Sequence, residues 1–481
     1  MRFIASIMVC KLLYFIGSRI GRGSSLPGRA ALFICPDALK RISLPGTVIA
    51  VTGSNGKTST AEMLAHSLKA NGMSVGWNHE GANQIEGIAT LLLRLADLRG
   101  VVRRDALVLE CDERYTRHIF EHVQPSILVI TNLCRDQLTR NGHPEFIQDC
   151  LRAAADTLSE QAKLVLNADD PYVAALAAQG VGRAGNCDQN LFFFGISQNA
   201  ADAVALSHGV REPSQPLSPS ADSGPEAPAT LREAYGMYDD GAFCPVCKNR
   251  MEYDYRIAGH MGGYRCRACG HKRPAPQLEV TGLNYETGET ILTGGIKTRL
   301  AFPGLTGAYN LTAAITAASA AGLKAEKTAR ALDGYALTGG RTLRFSAGAR
   351  DGLLLVSKHE NSMSYNQSLE WVVRQRRPCT VVIMVESISR KYYTSDTSWL
   401  WDVDFGILAD DNVKNIVLTG KYCNELALRF LTTAVEQEKV SCLSDPETLR
   451  EHVGSETKGE IFALTCFSDK EKLLRCFRGN T

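Results

Sequence analysis

From residue 46 onward the hydrophobic positions gather in short runs rich in Val, Ile and Leu, at 47–52, 106–109, 126–131 and 164–166, each followed by a stretch long enough for a helix. Runs that are apolar on both faces and alternate with helices predict a parallel sheet covered on each side. The alternation returns at 353–356, 380–385, 416–419 and 461–465, which predicts a second α/β domain over 339–481. Between them, β-type sequence resumes at Gln277 and an Ala- and Thr-rich helix is expected over 310–321. No internal repeat of solenoid length is present.

Two stretches break this rhythm. Residues 1–20 are apolar but carry Arg2, Lys11 and Arg19; no small-residue cleavage site follows, and Lys11 interrupts a run already too short to cross a bilayer. They predict an amphipathic helix at the head of an arm, 1–44, that either docks on a membrane surface or packs on the protein's own core. At 205–232 the chain turns rich in Ser, Pro, Ala and Glu and is expected to be a flexible linker. It leads into a small cysteine-bearing segment, 241–275, inserted in a first domain that otherwise spans 45–338.

Composition narrows the class. A chain of 481 residues exceeds what one core holds, and 44% hydrophobic with 22% charged residues suits a globular enzyme. The net charge of +2 argues against nucleic acid as a partner, because phosphate-backbone binders carry a strong basic excess. The fifteen cysteines are odd in number and mostly single within apolar runs, which points to a reducing, cytoplasmic compartment.

The chemistry starts after the first strand. In Val51-Thr-Gly53-Ser54-Asn55-Gly56-Lys57-Thr58-Ser59 a glycine turn joins a strand to a helix beginning near Lys57, so backbone amides and the helix N-terminus can cradle phosphates. Lys57 would contact the outer phosphates and the Thr58 hydroxyl a magnesium ion. The generic motif wants a further glycine where Val51 stands. Magnesium needs hard oxygen ligands, and Glu110, in Leu107-Val-Leu-Glu-Cys-Asp112-Glu113 at a strand's C-terminal end, is the candidate; without the phosphate loop it would equally read as a solvated strand-end acid. The next strand ends in Thr131-Asn132-Leu-Cys-Arg135-Asp136-Gln137, adding an amide, a guanidinium and a carboxylate.

Cys244-Pro-Val-Cys247 and Cys266-Arg-Ala-Cys269 are two Cys-x-x-Cys knuckles separated by 18 residues, a spacing that lets four thiolates surround one zinc ion. With no open position such an ion is structural. A redox site or a nucleic-acid-binding ribbon is the alternative.

Thr52-Gly-Ser-Asn-Gly-Lys-Thr58 resembles the compact phosphate loop of the Mur ligase and folylpolyglutamate synthetase superfamily, which lacks the extra glycine. Gly23-Ser-Ser-Leu-Pro-Gly28, His79-Glu-Gly-Ala-Asn83, Thr131-Asn-Leu-Cys-Arg-Asp-Gln137, Asp396-Thr-Ser-Trp-Leu-Trp-Asp402 and the four-cysteine insertion narrow the resemblance to the branch of synthetase subunits that amidate lipid II. The resemblance implies a Mur ligase-type P-loop central domain with an inserted zinc ribbon, followed by a Rossmann-like C-terminal α/β domain. It implies ATP-dependent amidation of the D-glutamate α-carboxylate of lipid II to D-isoglutamine in peptidoglycan synthesis, with Mg2+, with ammonia from a GatD-like glutaminase subunit in a heterodimer, and with work at the inner face of the cell membrane. It further implies that Asn132 and Asp136 serve the nucleotide, that Asn310 lies near the base and that Arg341 reaches the phosphates. Asp396, with Asp402 in reserve, would orient the glutaminase histidine; from residue types alone these acids could simply cap a helix while Trp399 and Trp401 fill a core.

Two departures fall in the C-terminal domain. Val385-Glu-Ser387 replaces an Asn-Asp-Asn stretch, and Lys358-His-Glu-Asn-Ser-Met-Ser-Tyr-Asn366 replaces Lys-Asn-Pro-Ala-Gly. Two other readings therefore stand beside amidation: a ligase that joins an amino acid directly, and an ATP-binding scaffold subunit. Lys57, Thr58 and Glu110 speak against the scaffold, which needs no magnesium-bound γ-phosphate.

Overall fold

The structure is a computed structural model and describes residues 1–20, 23–79, 82–137, 141–178, 188–206, 240–302, 304–338, 342–348, 350–388 and 396–478. These fall into two compact units. One holds Met1–Cys134 and the described residues of His143–Ser207 and Gly241–Leu337; the other holds Arg135–Gly142, Asp240 and the described residues of Thr338–Thr481.

In the first unit β1 (Thr47–Thr52), β2 (Val75–Trp77), β3 (Ala106–Glu110), β4 (Ile127–Ile130), β5 (Lys163–Asn167) and β6 (Leu191–Ile196) are parallel neighbours. A separate antiparallel hairpin, β7 (Glu252–Ala258) with β8 (Met261–Arg265), carries the cysteine segment. The main sheet then continues through β9 (Leu278–Leu283), β10 (Glu289–Leu292) and β11 (Ile296–Arg299), in the order β11-β10-β9-β6-β5-β4-β1-β3-β2, with the last two antiparallel additions at the edge. Val48, Ile49, Ala50 and Val51 are all buried, as a strand packed on both faces requires. Register brings Val51 beside Glu110 and Thr52 beside Ile130, so three strands end at one edge.

Four helices position that edge or cover the sheet: α1 (Arg2–Gly17), α2 (Leu26–Ile34), α3 (Lys57–Ala70) and α4 (Ile85–Leu95). A fifth, α5 (Leu305–Ala320), starts before the expected residue 310, because Leu305 and Ala308 already carry its buried face. The expectation for α1 needs correction. It is apolar nearly all round: Ile7 and Cys10 are buried in the core that β1 shares, while Ile4, Met8, Leu12, Phe15 and Ile16 are exposed. Of the stretch 205–232, residues 205 and 206 end the helix Gln198–Leu206 and the rest lies outside the described residues.

The second unit is built on β12 (Thr342–Ala347), β13 (Arg350–Ser357), β14 (Cys379–Met384), β15 (Val413–Thr419), β16 (Val440–Leu443) and β17 (Glu460–Cys466), ordered β12-β13-β17-β14-β15-β16. All pairs are parallel except β12 with β13. Helix α6 (Ser362–Arg374) follows β13 and is capped by Asn361, whose Oδ1 accepts from the Ser364 amide at 2.8 Å.

Candidate active site

The loop between β1 and α3 owes its shape to two glycines. Gly53 and Gly56 have φ of +124° and +84°. A Cβ on Gly53 would stand 2.3 Å from Thr131 Oγ1, and one on Gly56 2.1 Å from Asn310 Oδ1, so neither position admits a side chain. The strand-end residues after β4 lace the loop down. Ser54 N donates to Asn132 O at 2.8 Å and Asn55 N to Asn132 Oδ1 at 3.0 Å, while Asn132 Nδ2 and Thr131 Oγ1 donate back to Asn55 O. Ser54 Oγ and Cys134 exchange two further bonds at 3.1 Å. The turn is thereby preset before any phosphate arrives.

Lys57 opens α3 and is buried; its Nζ donates to the Gly53 carbonyl and lies 2.8 Å from Glu113 Oε2, a carboxylate equally buried. Thr58, next on the helix, is exposed. Glu110 sits beside the loop's entry, its backbone fixed by Asn78 at 2.8 and 2.9 Å and its Oε1 near Asn83 Nδ2 at 3.4 Å. Glu113 stands in the same acidic run as Glu110 but was not singled out there as the partner of Lys57; only the turn after β3 aims it at that lysine. Asn310 presses on the loop itself and accepts from Thr60 Oγ1 at 3.4 Å. Thr58 and Glu110 offer the hard oxygen donors that a magnesium ion takes.

Asp136 belongs to the second unit. Its carboxylate accepts from Asn361 Nδ2 at 2.8 Å and Lys358 Nζ at 3.1 Å. Arg135 holds Asp240, with both carboxylate oxygens within 3.0 Å of Nε, and its Nη1 lies 3.8 Å from Asp402. Burial pushes Asp402 up to about 6, with Asp240 reinforcing that rise and Arg135 opposing it. Asp396 is exposed and takes the Ser398 amide at 2.9 Å; the Ser398 hydroxyl first, and this amide second, hold its carboxyl below the ordinary range. Trp399 is buried against Tyr365, and Arg429 lies over the Trp401 ring at 5.5 Å. Arg341, Gly339 and Gly340 lie outside the described residues, as do Glu80 and Gly81.

The sulfurs of Cys244, Cys247, Cys266 and Cys269 lie within 4.8 Å of one another, with Cys244–Cys269 at 3.7 Å and Cys247–Cys266 at 3.5 Å. Tetrahedral thiolates about 2.3 Å from one ion would stand roughly 3.8 Å apart, so the four donors fit a single zinc. Both knuckles are shaped by backbone bonds, Lys248 N to Cys244 O and Gly270 N to Cys266 O, each at 2.9 Å. The segment is bound to the first unit by buried polar contacts. Arg273 meets Asp169 at 2.6 Å, His271 Nε2 meets Pro171 O at 3.0 Å, and Tyr309 OH also donates to Asp169 at 2.8 Å. Burial pushes Asp169 up to about 6, and these donors hold it ionised at neutral pH.

A preset phosphate loop with an acidic neighbouring strand end, on a parallel sheet, is the arrangement of a nucleotide-phosphate site, and likeness to known proteins gives its class, a ligase. Residues 51–215 match the model of the Mur ligase middle domain and residues 359–468 that of the MurT ligase C-terminal domain, and the chain belongs to the Mur ligase family. Its likeness narrows to one kind of subunit. It is 27% identical, over 95% of its length and 92% of the relative's, to the Streptococcus pneumoniae protein named lipid II isoglutaminyl synthase (glutamine-hydrolyzing) subunit MurT. Among solved structures it resembles the pseudomurein peptide ligase type C of Methanothermus fervidus at 19% identity, with a TM-score of 0.65 and coverage of 92% of this chain and 80% of that one. It also resembles the MurF ligase of Thermotoga maritima in complex with ADP at 16% identity, with a TM-score of 0.57 and coverage of 94% and 83%. These two likenesses concern the fold.

Proposed function

We propose that this chain is the ATP-using synthetase subunit of a glutamine-dependent amidotransferase that converts the D-glutamate α-carboxylate of lipid II to D-isoglutamine in peptidoglycan synthesis. The observation that carries the reading is the preset phosphate loop, with Lys57 at its mouth and Thr58 exposed, in a chain that follows a MurT subunit over nearly its whole length.

The amides from Gly56 to Ser59, at the N-terminus of α3, bind the phosphates of ATP, and Lys57 swings from Glu113 to the outer phosphates. Thr58 and Glu110 would hold magnesium, which when bound would offset charge on the phosphoryl group in transfer. A carboxylate oxygen attacks the γ-phosphorus, ADP leaves, and the acyl phosphate forms. Ammonia then attacks the acyl carbon, phosphate leaves with the bonding pair, and a proton lost from nitrogen completes the amide. Asn132 and Asn310 serve by fixing the loop. Asp136 and Arg341 are assigned to the nucleotide side. The four cysteines would hold a structural zinc ion.

Ammonia comes from a separate, GatD-like glutaminase subunit in a heterodimer. Of the two acids proposed to orient that subunit's histidine, Asp396 is favoured: it is exposed and held ionised, whereas Asp402 is largely buried, pushed up to about 6 and engaged by Arg135. A lipid-linked substrate puts the reaction at the inner face of the cell membrane.

The test is mass spectrometry of lipid II incubated with the protein, ATP, magnesium and ammonium, with and without a glutaminase subunit. The expected result is an ATP-dependent shift from hydroxyl to amide that disappears in Lys57→Ala. ATP hydrolysis that instead responds to an added amino acid, with no such shift, would replace amidation by direct amino-acid ligation.

A further inference from the structure

Helix α1 breaks the usual rule for a surface helix. One side is fixed to the first unit: Ile7 and Cys10 are fully buried, Tyr14 OH meets Arg94 Nη1 at 2.8 Å, and the Arg94 guanidinium stands 4.3 Å from the Tyr14 ring centroid. The opposite side should then be polar. It is not. Ile4, Met8, Leu12 and Phe15 follow one another at helical spacing and are 44%, 57%, 59% and 59% exposed. On α2, packed against α1, Leu26, Arg29 and Phe33 share one face by the same spacing, and Phe33 is 91% exposed. Adjacent helices thus leave large apolar side chains in water, a burden that folded chains keep for a partner.

Charge identifies the partner. Residues 1–41 carry seven Lys and Arg against one acid, Asp37, for a net +6, while the whole chain carries +2. The basic groups border the apolar side chains. Arg19 stacks over the Phe15 ring at 3.7 Å, Arg2 and Arg29 are exposed, and Lys11 is half-buried. No helix among the described residues is long and apolar enough to cross a membrane. Apolar side chains ringed by cations, on a helix too short to span, match the interfacial plane of an anionic bilayer, where acyl chains take the Leu and Phe side chains and headgroup phosphates the Arg and Lys.

The geometry points to the exposed side of α1 and α2 as a docking surface for an anionic lipid bilayer. It rests on the amidation reading only in that a membrane-borne substrate gives docking a purpose: the surface would keep the loop-bearing unit beside its substrate. The cation and apolar contributions act together, since either alone gives marginal, reversible attachment.

The test uses the full chain and two kinds of vesicle, pure phosphatidylcholine and phosphatidylcholine with phosphatidylglycerol, read by co-sedimentation. Binding is expected to the anionic vesicles, to weaken with added salt and to fall by about tenfold or more in Met8→Glu/Leu12→Glu/Phe15→Glu. Because all three side chains point away from the core, the variant should keep the wild-type melting temperature. A second variant, Arg2→Gln/Arg19→Gln/Arg29→Gln, should lose anionic binding without any change in core packing. Equal binding to both vesicle types, unchanged binding in both variants, or a wild-type dimer dissolved by the first variant without vesicle binding would overturn the proposal. Amidation of detergent-solubilised lipid II is measured in parallel. Vesicle binding without amidation would sink the amidation reading and leave the docking surface standing; amidation without vesicle binding would do the reverse.

Discussion

The C-terminal edges of the two sheets are built in opposite ways. In the first unit the working geometry is a continuous turn, Gly53 to Lys57, whose tight course exists because two glycines accept left-handed or otherwise excluded backbone. In the second unit the polar clusters join groups distant in sequence: Asp136 meets Lys358 across 222 positions, and Asp469 accepts from the amides of Glu386 and Ser387 across 83 and 82. A local turn carries its chemistry wherever its strand and helix go. A non-local cluster exists only once the whole sheet has formed, so its members bear on stability as well as on any reaction. Substitutions should separate along that line.

The largest effect is expected at Lys57. Lys57→Ala should lower ATP turnover on the order of 10²- to 10³-fold, the range for removing one preorganised donor from the charge developing in a transition state. It also removes the ammonium beside Glu113, whose side chain is only 3% exposed, and deleting one member of a buried ion pair costs roughly 3–5 kcal/mol. The melting temperature of Lys57→Ala should therefore fall, while Lys57→Ala/Glu113→Gln should recover it without recovering turnover. Turnover restored by the double variant would mean that Lys57 acts on Glu113 and not on phosphate.

Next comes the cysteine cluster, which is local within each knuckle and non-local between them. Cys244→Ser removes one of four thiolates, itself fully buried, so zinc content should drop below one ion per chain and limited proteolysis should cut within 241–275. The Asp169–Arg273 contact fastens this segment to the nine-stranded sheet, so the loosening should reach β6 and β9 as faster amide exchange. Proteolysis and exchange unchanged after complete zinc loss would show that these polar contacts alone hold the segment.

How much was legible follows the same division. The run 47–52 was found to the residue because parallel strands buried on both faces are apolar at every position, and the loop after it because its glycines, Lys57 and Thr58 are contiguous. The edge strands β2, β12 and β16 escaped: β2 and β16 are short, and all three are only partly buried, so their sequences hold no long continuous apolar run. Glu113 was written in the same acidic run as Glu110, yet nothing in that run says which carboxylate turns toward Lys57. The pairing of Arg135 with Asp240 had no signal at all, since only the folded second unit brings them together. Helix α1 was misjudged for a different reason: an apolar run with three cations reads as amphipathic, but the cations border the apolar side chains and leave no polar face.

The smallest effect, and the sharpest test of the non-local edge, is at Asp402. In the folded chain its carboxyl is pushed up to about 6 by burial with Asp240 nearby, against an ordinary value of 3.8. Between those values the folded state binds more proton than the unfolded one, so this group makes stability fall as pH rises from 4 to 6 and leaves a constant penalty above. Two pKa units set that penalty on the order of 1–3 kcal/mol. Asp402→Asn should accordingly melt higher than wild type at pH 7.5, with the gap closing near pH 4. A gap of the same size at both pH values would mean that the carboxylate's charge is fully neutralised by Arg135, and the edge would then be as self-contained as the phosphate loop.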